Sequence, residues 1–134
     1  MNIIDSAMPA NNEHEQATLN SLAQYDTCRL ECDGLTRVLA YILTKEIIEH
    51  TVMIGEIIDE QTQKGFSPHF WIALPDGRYI DYRARMWLGQ AEHVPHGIFN
   101  PADYPVAYDG EPIAFENLEQ IALLLLQLEC GDAQ

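Results

Sequence analysis

Pro68-His69-Phe70-Trp71-Ile72-Ala73-Leu74-Pro75-Asp76-Gly77-Arg78-Tyr79-Ile80-Asp81 is the stretch that decides how this chain folds. Apolar and aromatic residues lie on both sides of a Pro-Asp-Gly turn, and this pattern predicts a β-hairpin. The turn chemistry favours a three-residue loop, a type I turn followed by a left-handed glycine. The predicted register pairs Leu74 with Arg78, Ile72 with Ile80 and Trp71 with Asp81.

The same register brings His69 and Asp81 onto one face of the hairpin. As diagonal neighbours their Cα atoms are expected to be about 7 Å apart, within reach of an imidazole and a carboxylate. A two-residue Asp-Gly turn would shift the pairing by one residue and send Asp81 to the opposite face. The register of the hairpin therefore decides whether these two side chains meet.

Length and charge limit the classes of protein to consider. The chain has 134 residues and a net charge of −14. This length predicts one domain, which we place at residues 13–134 after a flexible arm at residues 1–12. The negative charge argues against nucleic acid and membranes as partners, because both are anionic. It permits a cationic partner, but it also serves simply to keep a domain in solution.

The three cysteines predict a compartment. Their odd number, with no signal peptide and no long apolar span, favours free thiols and a cytoplasmic location. Cys28 and Cys32 could share a helix face, where a disulfide is geometrically awkward.

Periodicity predicts individual helices and strands along the chain. Helices are expected over Glu13–Tyr25, Cys32–Leu43 and Asn117–Cys130, and a strand over Thr51–Ile58. The region from residue 83 to about residue 112 is rich in proline and predicts a long irregular loop, either a lid or a cover for one edge or face of the sheet.

The C-terminal helix is apolar over an unusually wide arc. Its run from Ile121 to Leu126 is broader than a narrow buried stripe. Either the helix is heavily buried or its outer face meets a second subunit, which would make a homodimer through this helix.

Cys32, His69 and Asp81 together form a candidate catalytic constellation. A helix N-terminus and a neighbouring imidazolium lower the pKa of a thiol and favour the nucleophilic thiolate. The imidazole takes the thiol proton and later gives a proton to the leaving group. A carboxylate on the other ring nitrogen fixes the orientation of the imidazole.

Two segments resemble the papain-like cysteine superfamily, in particular its transglutaminase-like proteins and small bacterial Cys-His-Asp peptidases. The run from Cys32 to Leu43 is similar to the family's helix, which begins with Cys and continues with apolar Leu and Ala. His69-Phe70-Trp71 and the following run from Asp76 to Asp81 resemble the family's His-x-Trp strand, turn and Ile-Asp strand. With the connecting strand, the resemblance covers about residues 28–83.

The resemblance implies an α+β fold with a papain-like core, in which the Cys32 helix packs on an antiparallel sheet. In this core Cys32 is the nucleophile, His69 the base and Asp81 the residue that orients the imidazole. It implies acyl transfer at a peptide, isopeptide or side-chain amide, either hydrolysis or transamidation, with a peptide or protein substrate and no cofactor. The backbone N–H of Cys32 would help to hold the oxyanion. Gln24 is the nearest upstream side chain for the same role.

Further residues are candidates for substrate contacts. Trp71, Trp87 and the loop over residues 83–110 are expected to shape the cleft, and His96 would line it from that loop. Arg83 or Arg85 would clamp a substrate carboxylate. The alternative for the arginines is ion pairing with the many carboxylates of the chain.

Departures from the family pattern favour a second hypothesis. Glu31 and Asp33 flank Cys32, and two carboxylates beside a thiol oppose thiolate formation. The alternative is a non-catalytic binding protein on the same scaffold, which holds a partner through its acidic surface or its Leu-rich C-terminal helix. The start of the Cys32 helix also resembles papain-like peptidoglycan endopeptidases, but their Gly-Asp strand and His spacing are missing.

A metal site is the competing constellation. Cys28 and Cys32 with His93 and His96 supply zinc-binding side chains. The cysteine spacing is not that of a zinc knuckle, and no second shell of ligands can be identified, so no metal is predicted.

Overall fold

The computed structural model describes the backbone of residues 3–131 and the side chains of residues 12–131, and this part of the chain has an α+β fold. An antiparallel sheet has the strand order β4-β3-β2-β1-β5. Its strands are β1 (Thr51–Asp59), β2 (Gly65–Ala73), β3 (Tyr79–Asp81), β4 (Gly97–Phe99) and β5 (Val106–Pro112). The helices are α1 (Ile3–Ser21), α2 (Cys32–Lys45), α3 (Ala84–Leu88) and α4 (Leu118–Leu125), with a 3₁₀ segment after α1 (Leu22–Thr27) and a π-helical turn after α4 (Leu126–Cys130).

The hairpin has the predicted register. Ile72 pairs with Ile80, and the backbone N–H of Leu74 donates to the carbonyl of Arg78 at 2.8 Å. Gly77 has φ +97°, a left-handed conformation that glycine adopts without a Cβ clash. The three-residue loop is confirmed, and with it the placement of His69 and Asp81 on one face.

Helix α2 is confirmed with its buried stripe. It begins at Cys32 and ends at Lys45, two residues beyond the predicted Leu43. Its stripe packs on one face of the sheet, where it meets the side chains of Ile72 and Ile80. The buried stripe consists of Leu35, Val38, Leu39, Ile42 and Leu43.

A second apolar cluster lies around Trp71, which alternates with Ile72 along β2 and therefore faces the other side of the sheet. Trp71 is 1% exposed. A Cβ atom on Gly110 would lie 2.7 Å from its indole ring and 2.4 Å from the carbonyl oxygen of Ile54. The absence of a side chain at Gly110 therefore gives the indole its place beside β5.

Two predicted boundaries were wrong. The first helix begins at Ile3 rather than Glu13, while Met1 and Asn2 lie outside the described residues. The flexibility predicted for residues 1–12 stays a prediction. The predicted loop over residues 83–112 contains α3, β4 and β5. Both edge strands of the sheet come from it, so this region forms the edges of the sheet rather than a loop over one of them.

The C-terminal helix is present but only partly buried. Asn117 lies at its N-cap position with φ +53°, and its side chain makes no capping hydrogen bond. Leu123, Leu124 and Leu128 are 46%, 53% and 56% exposed, so heavy burial does not explain the apolar run.

The prediction of free thiols was wrong for two of the three cysteines. Cys28 and Cys130 form a disulfide that joins the segment before α2 to the end of the chain, and Cys32 is free and buried. The free-thiol argument therefore no longer supports a cytoplasmic location, since disulfides persist mainly in oxidising compartments. Within residues 3–131, no helix combines the length and the apolar character that a membrane crossing requires.

Candidate active site

Asp81 is the centre of a buried polar cluster on the face of the sheet that bears Trp71. One of its oxygens, Oδ2, accepts hydrogen bonds from His69 Nε2 at 2.7 Å and from the Tyr108 hydroxyl at 2.8 Å. The other, Oδ1, accepts the backbone N–H of Arg83 at 2.9 Å. The carboxylate is 3% exposed and satisfied by three donors, so it is held in a single orientation.

Cys32 approaches the same imidazole from the first turn of α2. One turn later along the helix, the Thr36 hydroxyl donates to the carbonyl of Phe70 at 3.4 Å, which fixes α2 against β2 beside His69. The thiol interacts with the His69 ring strongly enough to raise the pKa of the imidazole. Nδ1 of His69 is buried and has no partner with hydrogen-bond geometry among the described residues, so the approach of the thiol is looser than that of Asp81.

The ionisation of His69 follows from these neighbours. Burial lowers its pKa, but the charge and hydrogen bond of Asp81, together with the Cys32 side chain, outweigh burial and raise the pKa from 6.5 to about 9. At neutral pH the ring is therefore an imidazolium, with both nitrogens as donors. Nε2 donates its hydrogen bond to Asp81. Nδ1 also carries a proton, but among the described residues it has no hydrogen-bond acceptor.

This raised pKa predicts a pH-dependent stability. A group whose pKa is higher in the folded state stabilises it fully below the unfolded value, and that stabilisation is lost as the pH rises. We expect the free energy of unfolding to fall by up to about 3 kcal/mol as the pH rises from about 6.5 through about 9, because His69 loses its charge opposite Asp81. Urea unfolding across this range measures the change. His69→Gln is the control and should flatten the profile, whereas an equally steep profile in that variant would contradict the assignment.

Tyr108 is a site residue that the sequence prediction missed. It lies on β5 and is half-buried, with its ring edge against Trp71 at 4.9 Å between centroids. Burial and the Asp81 charge raise the pKa of the Tyr108 hydroxyl far above its usual value, so it remains a donor to Asp81 at neutral pH. No local signal in the sequence indicated it, because β5 contains Gly110 and Pro112 and lacks a clear strand pattern.

Aromatic rings surround the imidazole. Trp71 stacks on His69 with a centroid distance of 6.0 Å, and Phe66 meets it edge-on at 6.2 Å. Trp87 stacks on Phe66 at 3.9 Å with nearly parallel planes. Of the two tryptophans predicted to contact substrate, Trp71 is buried as a wall of the site, and Trp87 is half-buried on α3.

Arg83 was predicted to clamp a substrate carboxylate, but its guanidinium is bound to protein oxygens instead. Its guanidinium, in a residue 8% exposed, donates to the carbonyls of Leu30, Cys28, Asp26 and Tyr82 and to the Asp26 carboxylate. These bonds occupy the five N–H donors of the group. Arg83 therefore fastens the segment before Cys32 to the residue pair that follows β3, and it has no donor left for a substrate.

The remaining predicted residues lie apart from the imidazole. His96 is paired through Nε2 with Asp26 at 2.8 Å and is exposed. Gln24 is exposed and donates its amide to the carbonyl of Ser21, the last residue of α1, so it has no observed link to the thiol. Asp33, one of the two flanking carboxylates, is exposed and accepts the backbone N–H of Gly34.

The four candidate zinc ligands, Cys28, Cys32, His93 and His96, are not brought together in the structure. Cys28 is bonded to Cys130, and His93 pairs with the buried carboxylate of Asp59 at 2.6 Å. Among residues 12–131, no group of three or more His, Cys, Asp or Glu side chains has the arrangement of a metal site.

Comparisons with protein families, with curated proteins and with solved structures find no match to this chain.

Proposed function

We propose that this chain is a thiol-dependent acyl-transfer enzyme with a papain-like or transglutaminase-like core. Cys32 is the nucleophile, His69 the acid and base, and Asp81 the residue that orients the imidazole. One observation supports the proposal above the others: one ring nitrogen of His69 is bound to a buried carboxylate, and the other is unpartnered beside the free thiol of Cys32 at a helix N-terminus.

The two ring nitrogens have separate roles in the proposed reaction. Nε2 keeps its proton and its bond to Asp81 throughout. The Cys32 thiolate attacks the carbonyl carbon of an amide, and Nδ1–H of the imidazolium gives its proton to the departing amine. A thioester remains on Cys32. Nδ1, now a base, takes a proton from water or from an acceptor amine that attacks the thioester, which regenerates the thiolate and the imidazolium.

The start of α2 provides donors for the developing oxyanion. The first N–H groups of a helix have no intrahelical acceptor. The N-cap residue, Glu31, makes no side-chain hydrogen bond to this turn. The backbone N–H of Cys32 is therefore the proposed oxyanion donor, as the family resemblance implies. Gln24 is no longer proposed for this role because its side-chain amide donates to the carbonyl of Ser21.

The substrate proposed is a peptide, isopeptide or side-chain amide. Cys32 is 5% exposed and His69 is buried, so substrate reaches the sulfur only when neighbouring side chains move. The Phe66–Trp87 stack covers the ring on one side, and Trp87 belongs to a helix of five residues. Movement of this short helix is the proposed route of access.

The test is alkylation of Cys32 in the folded protein. Because Cys28 and Cys130 are bonded to each other, they are not useful reference thiols, and the reference becomes the rate of global unfolding. We expect iodoacetamide to label Cys32 at pH 7 at least about tenfold faster than the chain unfolds, since the proposed access route opens the site locally, without global unfolding. Mass spectrometry of time points measures labelling, and dilution into urea measures unfolding. Labelling limited by the unfolding rate would refute the enzyme proposal.

A second candidate is a non-catalytic binding or interaction protein on a degenerate papain-like scaffold. The observation that favours it is the exposure of three leucines, Leu123, Leu124 and Leu128, at the C-terminal end of the chain. The occupant proposed for this surface is a second copy of the chain. Sedimentation of the wild type and of Leu124→Lys distinguishes the two states, because a dimer through this surface is lost when a charge is placed in it. Two monomeric species would exclude the dimer.

A further inference from the structure

A cavity of about 460 Å³ lies beside Arg83, between α3 and the segment that precedes β4, and neither Cys32 nor His69 is among its lining residues. Arg85, Met86 and Gln90 line it on one side. Asp26, Tyr82, Arg83 and His96 complete the lining. Its volume is within the range of sites that bind small molecules.

Arg85 is the unusual member of this lining. Its Nε donates to the carbonyl of Val94 at 2.8 Å, which holds the guanidinium plane in place. Among the described residues, the two terminal amino groups of Arg85 have no hydrogen-bond partner. By contrast, all five N–H groups of Arg83 are bound to protein oxygens. Arg85 therefore presents a fixed and unoccupied fork of donors at the cavity.

The charge of the lining is opposite to that of the chain. The whole chain has a net charge of −14 and seven Lys and Arg residues, two of which line this cavity. The single aspartate, Asp26, is paired with Arg83 and with His96. The lining is therefore net positive even when His96 is neutral, in a chain that repels anions elsewhere.

We propose that this cavity binds a carboxylate through the guanidinium of Arg85, with the amide of Gln90 as a further donor. The planar fork of an arginine matches the two oxygens of a carboxylate in a bidentate pair. The carboxylate belongs either to the free C-terminus of a peptide or to a small organic acid. This inference goes beyond the acyl-transfer proposal and does not depend on the reactivity of Cys32.

Titration calorimetry with four probes tests the proposal: an N-acetylated dipeptide with a free carboxylate, the same dipeptide as its C-terminal amide, succinate, and inorganic phosphate. The free dipeptide or succinate is expected to bind saturably, and the amide at least about tenfold more weakly than the free dipeptide if the site takes peptides. Saturable binding of succinate alone assigns the site to small acids. No saturable binding of either carboxylate, or tighter binding of inorganic phosphate, would overturn the proposal.

Two variants distinguish bidentate binding by the Arg85 guanidinium from attraction by positive charge in general. Arg85→Lys keeps the positive charge but lacks the planar pair of terminal amino groups. It is expected to weaken the binding of the preferred carboxylate at least about tenfold. Arg78→Gln, on the hairpin turn, removes a charge outside the cavity and should leave affinity unchanged. Equal affinity of wild type and Arg85→Lys would overturn the assignment, as would an equal loss in both variants. Cys32→Ala should bind as the wild type does, so failure of the thiol chemistry and failure of this site are separable.

Discussion

Replacing Asp81 by Asn is expected to slow the reaction of Cys32 with iodoacetamide at pH 7 by about 10²-fold or more. The reason lies in the balance that sets the charge of His69. Burial lowers its pKa, and the Asp81 carboxylate is the main group that raises it to about 9. An uncharged Asn removes this electrostatic contribution while the burial remains, so the pKa of His69 is expected to fall far enough for the ring to lose its proton. The ring is then neutral at pH 7 and no longer stabilises a thiolate.

The matched control lies on the same hairpin. Asp76 is an exposed turn carboxylate bound to the backbone and side chain of Arg78, away from the imidazole. Asp76→Asn should therefore react like the wild type. His69→Ala should be as slow as Asp81→Asn, since both remove the imidazolium. The ring titration of His69, followed by NMR, gives the independent measurement. A wild-type rate in Asp81→Asn with an unchanged ring titration would exclude the proposed role of Asp81.

The sequence was sufficient for the hairpin because its information is local. The Pro-Asp-Gly turn specifies three loop residues, and a strand period of two then fixes which side chains share a face. This is why the contact between His69 and Asp81 could be predicted before any coordinates. The position of Cys32 at the beginning of α2 also followed from local periodicity.

The prediction of an irregular loop in the proline-rich region from residue 83 to residue 112 was wrong because the information that specifies its strands is not local. β4 is only three residues long, and β5 includes Gly110 and Pro112, so neither has a clear strand pattern. These strands are specified by their neighbours, since β4 pairs with β3 and β5 with β1. Tyr108 enters the site only through this non-local pairing, and no local pattern identifies its bond to Asp81.

The disulfide and the first helix show two other limits. Cys28 and Cys130 are separated by 102 positions, and their meeting depends on how α4 packs beside α2. Pro9 and Asn11 have low helix propensity and suggested an arm, yet the backbone is helical from Ile3. In both cases the structure depends on more of the chain than the short stretch of sequence from which a local pattern is read.

Replacing Arg83 by Met is expected to lower the free energy of unfolding by about 3–5 kcal/mol. Methionine has a similar length but no donors, so four backbone carbonyls and the Asp26 carboxylate lose their partner at once. Unsatisfied buried acceptors cost about 1–3 kcal/mol each before the structure relaxes. A loss of this size is a large part of the total stability of a typical domain. Urea unfolding followed by circular dichroism measures it.

Two further variants show whether the loss comes from the unpaired groups. Arg78→Met removes an exposed arginine paired with Asp76 and should change the free energy of unfolding by no more than about 0.5 kcal/mol. Asp26→Asn combined with Arg83→Met should recover part of the loss, because the carboxylate left without its cation is then neutral. If Arg83→Met and Arg78→Met are equally stable, Arg83 does not fasten the segment before Cys32. The thiol would then need another source of its fixed position, and the geometry on which the proposed chemistry depends would lose its main support.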